Sequence, residues 1–131
     1  MNALTFDYDT SYAPPAPVIE IEIDGYNRLF GKAVLRAMVD SGADASLIPL
    51  EFLDAVGATY KETVWMRSVA GDRSKVDLYL VGVEIRPHLV HGLHVVAAPN
   101  NSEAIVGRDV LNQLVLTLDG PGEVVTIEAN L

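Results

Sequence analysis

The chain contains no cysteine, which removes disulfide frameworks, thiolate nucleophiles, iron–sulfur clusters and thiolate zinc sites together. Positive charge is scarce as well. Nine Lys and Arg stand against eighteen Asp and Glu, a formal net charge of −9 with histidine neutral. A field of that sign repels phosphate backbones and anionic lipid surfaces, so neither nucleic acid nor a membrane is expected as a partner. No apolar run is long enough to span a bilayer, and the first residues show neither a basic nor an apolar leader segment, so a soluble, cytoplasmic protein is expected. What is present is the balance of a folded globular chain, half apolar and 21% charged. At 131 residues a chain buries roughly two-thirds of its unfolded surface in one core, which fits a single domain.

Residues 1–17 carry Asp7, Asp9, Tyr8, Tyr12 and the cluster Pro14, Pro15 and Pro17 without an apolar period. They predict a flexible, extended arm, with residues 18–131 forming the folded domain. From Val18 the pattern Val-Ile-Glu-Ile-Glu-Ile alternates as a strand does, and Asp24-Gly25 supplies a turn. Ala33 to Val39 reads as a buried strand that ends abruptly in Asp40-Ser41-Gly42-Ala43-Asp44. Pro49 to Val56 predicts a short helix, with Gly57 suited to the left-handed position after it. Tyr60–Val69 and Lys75–Ile85 predict two strands joined at a polar tip, Ala70 to Ser74. Further strands are expected at Gly92–Ala98, around Ala104–Val106, at Val115–Leu118 and at Glu123–Ile127, with a short helix over Gly107–Leu114. The class is all-β with one or two short helices.

The stretch that carries chemistry is Met38-Val39-Asp40-Ser41-Gly42-Ala43-Asp44. An aspartate at the end of an apolar strand has its carboxylate held by rigid backbone beside a core, as a catalytic acid requires. Gly42 permits a sharp turn and close approach to a ligand, and the Ser41 hydroxyl both donates and accepts hydrogen bonds. Asp-Ser-Gly alone is ordinary turn chemistry. It is followed here by Ser46-Leu47-Ile48 and, much later, by Ile105-Val106-Gly107-Arg108-Asp109-Val110-Leu111. With both segments in this order, the sequence over roughly Val18 to Leu131 resembles the retropepsin-like aspartic proteases.

That resemblance implies a retropepsin-like acid-protease fold, a small closed β-barrel-like domain that works as a homodimer. The implied activity is hydrolysis of a peptide or protein substrate as an aspartic endopeptidase, with no cofactor and no metal. Carboxylate peptidases need two carboxylates around one water, and Asp40 is half of that site. Asp24-Gly25 and Asp119-Gly120 lack the strand-end setting and the hydroxyl. Residue by residue, the resemblance makes Asp40 catalytic, has Ser41 brace the two subunits, and turns the Gly42 carbonyl to the substrate. Ala43 supports the site; unlike serine or threonine it cannot donate a hydrogen bond to the dyad, which implies an optimum less acidic than a pepsin's. Asp44 would bind substrate main chain and form a buried pair with Arg108, with Gly107 as the structural glycine of the second segment. The flap that closes over substrate maps to Ser68–Ser74, giving Ala70, Gly71 and Asp72 as substrate contacts.

The chain also departs from that pattern. Its flap tip holds one glycine and the polar Asp72 and Arg73. Retroviral dimers interleave both chain ends; residues 124–131 suit that role as a strand and the Pro-rich arm does not. An alternative follows, a retropepsin-fold dimerisation or peptide-binding module with weak or no catalysis. His88, His91 and His94 are expected as solvated loop histidines, and Trp65 as a core residue. Acidic excess near the cleft would favour basic substrates, and the sequence does not say where it gathers.

Overall fold

The computed structural model of the protein describes residues 3–129. In chain order its elements are β1 (Ala3–Asp7), β2 (Val18–Asp24), β3 (Ala33–Val39), β4 (Leu47–Pro49), α1 (Leu50–Ala55) and β5 (Thr59–Arg67). Then come β6 (Arg73–Ile85), β7 (His88–Ala98), β8 (Ala104–Val106), α2 (Arg108–Leu111), β9 (Leu116–Asp119) and β10 (Val124–Glu128). The period-two patterns explain the strands. In β2, Ile19, Ile21 and Ile23 are buried while Glu20 is exposed, and in β3 Leu35 and Ala37 are buried while Val34 and Arg36 are exposed.

The larger sheet runs β2-β3-β8-β4-β7-β6-β5, and β2 also pairs with β6. That extra pairing closes six strands into a barrel and abolishes two edges. Its interior is aliphatic: Ile48, Leu53, Val81, Val95 and Val106 are fully buried, and each such side chain contributes about 1.5–3 kcal/mol by leaving water. α1 lays Leu53 into this core and stops at Gly57, whose φ of +64° is the left-handed conformation expected there. β5 lies outside the barrel as the second strand of a ribbon with β6, and most of its side chains are exposed. This is why Trp65 is 57% exposed with Arg73 and Lys75 over its ring, instead of filling the core.

A second sheet, β1-β10-β9, differs from expectation in two respects. Residues 3–7 are not a free arm: they pair antiparallel with 124–128, and Leu4, Phe6 and Tyr8 pack on the core. Their short alternation is enough for an edge strand, and the following loop is tethered by a bridge between Asp9 and Ala16. β10 consequently lies between β1 and β9, hydrogen-bonded on both sides, so its edge is not available for interleaving with another chain. Asn130 and Leu131, which the sequence included in that strand, lie outside the described residues. α2 is shorter than predicted, with turn hydrogen bonds continuing to Leu114. His88, His91 and His94 sit on β7 and not in a loop, and the Glu128 carbonyl accepts a hydrogen bond from His88 Nε2 at 2.7 Å. Among the described residues no helix is long and apolar enough to cross a membrane.

The arrangement that matters for function is the parallel pairing of β3 with β8, which sets Ala37–Val39 beside Ala104–Val106. Two strand ends arrive together, and the loops that leave them meet.

Candidate active site

Asp40 is the first residue past β3, half-buried, and its N–H donates to the Val106 carbonyl at 3.0 Å. The strand pairing is thus carried up to the carboxylate itself. Its Oδ1 accepts the Gly42 N–H at 2.9 Å, and its main-chain carbonyl accepts the Ala43 N–H at 3.1 Å. A turn of this kind orients the side chain by a main-chain hydrogen bond to one of its oxygens. A Cβ on residue 42 would stand 3.1 Å from that same oxygen, so glycine keeps the carboxylate uncrowded. Ser41, Gly42 and Asp44 are exposed, and the loop presents an open face to solvent.

The second loop locks onto the first. Gly107 passes so close that a Cβ there would lie 2.7 Å from the Ala45 carbonyl and 2.8 Å from that of Ala43, distances real Cβ atoms do not tolerate. The Arg108 N–H donates to the Ala43 carbonyl at 2.9 Å, and its Nη1 donates to the Ser41 carbonyl at 2.7 Å. Its Nη2 pairs with Asp44 Oδ1. That pair forms as the sequence implied but is not buried: the side chains are 42% and 85% exposed. Its net worth as an exposed ion pair is at most about 1 kcal/mol, and the guanidinium's bond to the Ser41 carbonyl is what ties the two loops at this point.

A network beneath this surface had no assigned role in the sequence. Ser46, 2% exposed, is the one buried polar side chain among the described residues. Its N–H and hydroxyl donate to the two oxygens of Asp109 at 2.9 and 2.7 Å, and its Oγ accepts the Gly107 N–H at 3.0 Å. Three polar groups satisfy one another where an unpaired one would cost about 1–3 kcal/mol. The signal available in the sequence was position: a small hydroxyl two residues past Asp44, and a carboxylate directly after Arg108.

Ala70, Gly71 and Asp72 form the tip of the β5–β6 ribbon. The Asp72 carbonyl accepts the Ser68 N–H at 2.8 Å and the Ser68 carbonyl accepts the Gly71 N–H at 2.9 Å, and no hydrogen bond among the described residues ties the tip to the Asp40 loop. The structure therefore ties together Asp40, Ser41, Gly42, Ala43, Asp44, Gly107 and Arg108 by hydrogen bonds and close packing, and the tip takes no part in that network among the described residues. Among the described residues no group of three or more His, Asp and Glu is arranged to hold a metal ion.

The model of the family described as "gag-polyprotein putative aspartyl protease" matches residues 28–113, about two thirds of the chain and both loops. Among solved structures the chain is similar to a retropepsin-like aspartic protease from Rickettsia conorii, at 12% identity and a TM-score of 0.63, covering 96% of this chain and 90% of that one. It is also similar to the EIAV protease in complex with the inhibitor HBY-793, at 17% identity and a TM-score of 0.56, covering 75% of this chain and 86% of that one. No curated protein matches. The likeness to these two structures establishes the fold, and the match across the paired loops establishes the family: the chain belongs to the gag-polyprotein aspartyl protease family and has the retropepsin-like fold.

Proposed function

We propose that two copies of this chain form an aspartic endopeptidase, with Asp40 of each meeting across a two-fold axis. The observation that carries the proposal is the Asp40 loop, a half-buried carboxylate hydrogen-bonded at a strand end on a loop open to solvent, with the motif present once per chain. Two carboxylates that close cannot both ionise, so the pair shares one proton. The ionised member takes a proton from water as its oxygen bonds to the scissile carbonyl carbon, and the protonated member gives its proton to the carbonyl oxygen. Collapse of the tetrahedral intermediate breaks the C–N bond as the carboxyl that took the water's proton passes it to the amine nitrogen, and a hydroxyl of the intermediate returns a proton to the other carboxylate, so the dyad again holds one proton. No cofactor enters.

Around the dyad, the Ser41 hydroxyl braces the partner's loop, while the Gly42 carbonyl and the outer oxygen of Asp44 receive substrate main chain. Ala70, Gly71 and Asp72 close over the peptide when the ribbon bends inward. The sheet edges that favour a second copy are those of β9 and β1, because β10 is paired on both sides. Exposed Leu118 on β9 adds apolar surface for such a contact. Cleavage of a diverse peptide library between about pH 3 and 8 tests the reading: cleavage by the native protein that disappears in Asp40→Asn supports it, and cleavage that survives the substitution overturns it.

A second reading rests on the ribbon tip, where Asp72 and Arg73 stand in place of a glycine-rich closure. A peptide-binding or dimerisation module with weak or no catalysis would keep the Asp40 loop for its hydrogen bonds alone. A dimer that binds peptides and never cleaves them is the outcome that favours it.

A further inference from the structure

We propose that an open groove along the outer face of β3, leading toward Asp40, is a specificity subsite for a lysine or arginine side chain of the substrate. The proposal deepens the endopeptidase reading and rests on it. Val34, Arg36 and Met38 share that outer face by the period of the strand, and all three line the groove two or more residues short of Asp40. Its apolar lining is continued by Val18, Pro49 and Phe52, a surface suited to the aliphatic stem of a long side chain.

The lining also carries charge. Asp9, Tyr12, Arg36 and Glu103 all line the groove. Arg36 is already committed, lying 3.7 Å from Asp9 Oδ2. The Asp9 carboxyl is held below its ordinary value by hydrogen bonds from the Ser11 hydroxyl and main chain, with Arg36 adding a smaller attraction, so it stays ionised beside that guanidinium. Glu103 is left as the uncompensated charge. Its Oε1 accepts the Tyr12 hydroxyl at 2.6 Å, and no Lys or Arg pairs with it among the described residues. A neutral hydroxyl leaves the negative charge in place, and a cation entering the groove neutralises it. The chain's net charge of −9 attracts such a cation from a distance.

Position and rigidity agree with a subsite. Ala104 lies opposite Ala37, which sets Glu103 level with Arg36, four residues from Asp40 and roughly 13 Å along the strand. An extended peptide covers that span in about four residues, so the basic side chain lies within about four residues of the scissile bond. The loop that carries Glu103 is fixed from both sides. Asn100 Oδ1 accepts the Glu51 N–H at 3.0 Å, Glu51 Oε1 accepts the Asn101 N–H at 2.8 Å, and the Pro99 carbonyl accepts the Ser102 hydroxyl at 2.5 Å. A charge on a pre-ordered loop discriminates without paying to order itself.

The test uses peptides that differ only in carrying lysine, arginine or neutral norleucine at each of four positions on either side of the scissile bond. Native protein is compared with Glu103→Gln, which keeps an acceptor for Tyr12 and removes the charge, and with Tyr12→Phe, which removes the hydroxyl and keeps the charge. The expected result is a kcat/KM preference for lysine or arginine over norleucine at one position, reduced roughly fivefold by Glu103→Gln, retained by Tyr12→Phe and weakened by salt. No basic preference at any position, or an undiminished one in Glu103→Gln, overturns the proposal. Binding of the same peptides to Asp40→Asn and to Asp40→Asn/Glu103→Gln, read by fluorescence anisotropy, separates the two claims. A Glu103-dependent preference in binding with no cleavage by the native protein keeps the groove and removes the endopeptidase; neither binding preference nor cleavage removes both.

Discussion

The loop that holds Asp40 and the tip of the β5–β6 ribbon are both short polar turns between strands, and they are held in opposite ways. The first is tied through Val106, Ala43, Ser41, Ser46 and Asp109 to elements distant in sequence. The second is hydrogen-bonded only within residues 68–72 among the described residues, and all of its side chains are exposed. Groups that must be placed to a fraction of an ångström need supports that do not move with them, whereas a segment that admits and releases a peptide is drawn from the weakly held end of the structure. In this chain the two requirements fall on different turns, one tied into the barrel and one at the end of a ribbon that leaves it.

The sharpest break in that comparison comes from Asp40→Asn, which is expected to lower peptide cleavage by roughly ten-thousandfold while leaving the fold intact, checked by activity and circular dichroism together. Next are the supports. Ser46→Ala strands the Gly107 N–H and part of the Asp109 carboxylate and is expected to cost about 1–3 kcal/mol in urea unfolding. Gly107→Ala drives a Cβ into two carbonyls and is expected to cost a similar 1–3 kcal/mol. At the ribbon the expectation reverses: Asp72→Ala should change stability by less than about 0.5 kcal/mol yet shift KM for peptides. A large stability loss there would erase the distinction between the two turns.

The smallest expected effect is dependent on pH. Asp9, on the loop after β1, has its carboxyl held below the ordinary value of 3.8, first by the Ser11 hydroxyl. A carboxylate depressed on folding stabilises the protein above its unfolded value, and that contribution is lost as pH falls through the folded one. Asp9→Asn should therefore lower Tm slightly near neutral pH, and the difference from native protein should close as the pH is taken below 3.8. A difference that persists in acid would assign the effect to lost packing instead of charge.

How much of this was legible in the sequence follows the same division. β2, β3, β8 and the helix ending at Gly57 are written locally, as alternation or as a stop signal, and they appear within a residue or two of expectation. The Asp40 and Gly107 loops were legible because close packing leaves few residue types that fit, so the motif survives in the sequence. β1 was missed because three alternating apolar residues beside a proline cluster gain strand structure only from β10, more than a hundred residues away. Trp65 was misplaced because whether β5 closes the barrel or extends beyond it depends on the β2–β6 pairing, which no local pattern records. The Ser46–Asp109 network was invisible for a related reason: each residue is ordinary alone, and its meaning lies in a contact across 63 positions. The exposure of the Asp44–Arg108 pair likewise belongs to the surface of the folded chain and not to either motif.

The most direct test of the shared dyad is a titration of native protein with the Asp40→Asn chain at constant total concentration, with peptide cleavage as the readout. If each active site is built from two Asp40 carboxylates, activity falls as the square of the native fraction, because mixed dimers lack one of them. Activity that falls only in proportion to the native fraction would mean that one chain suffices, and the account of a half-site completed by a second copy would be wrong.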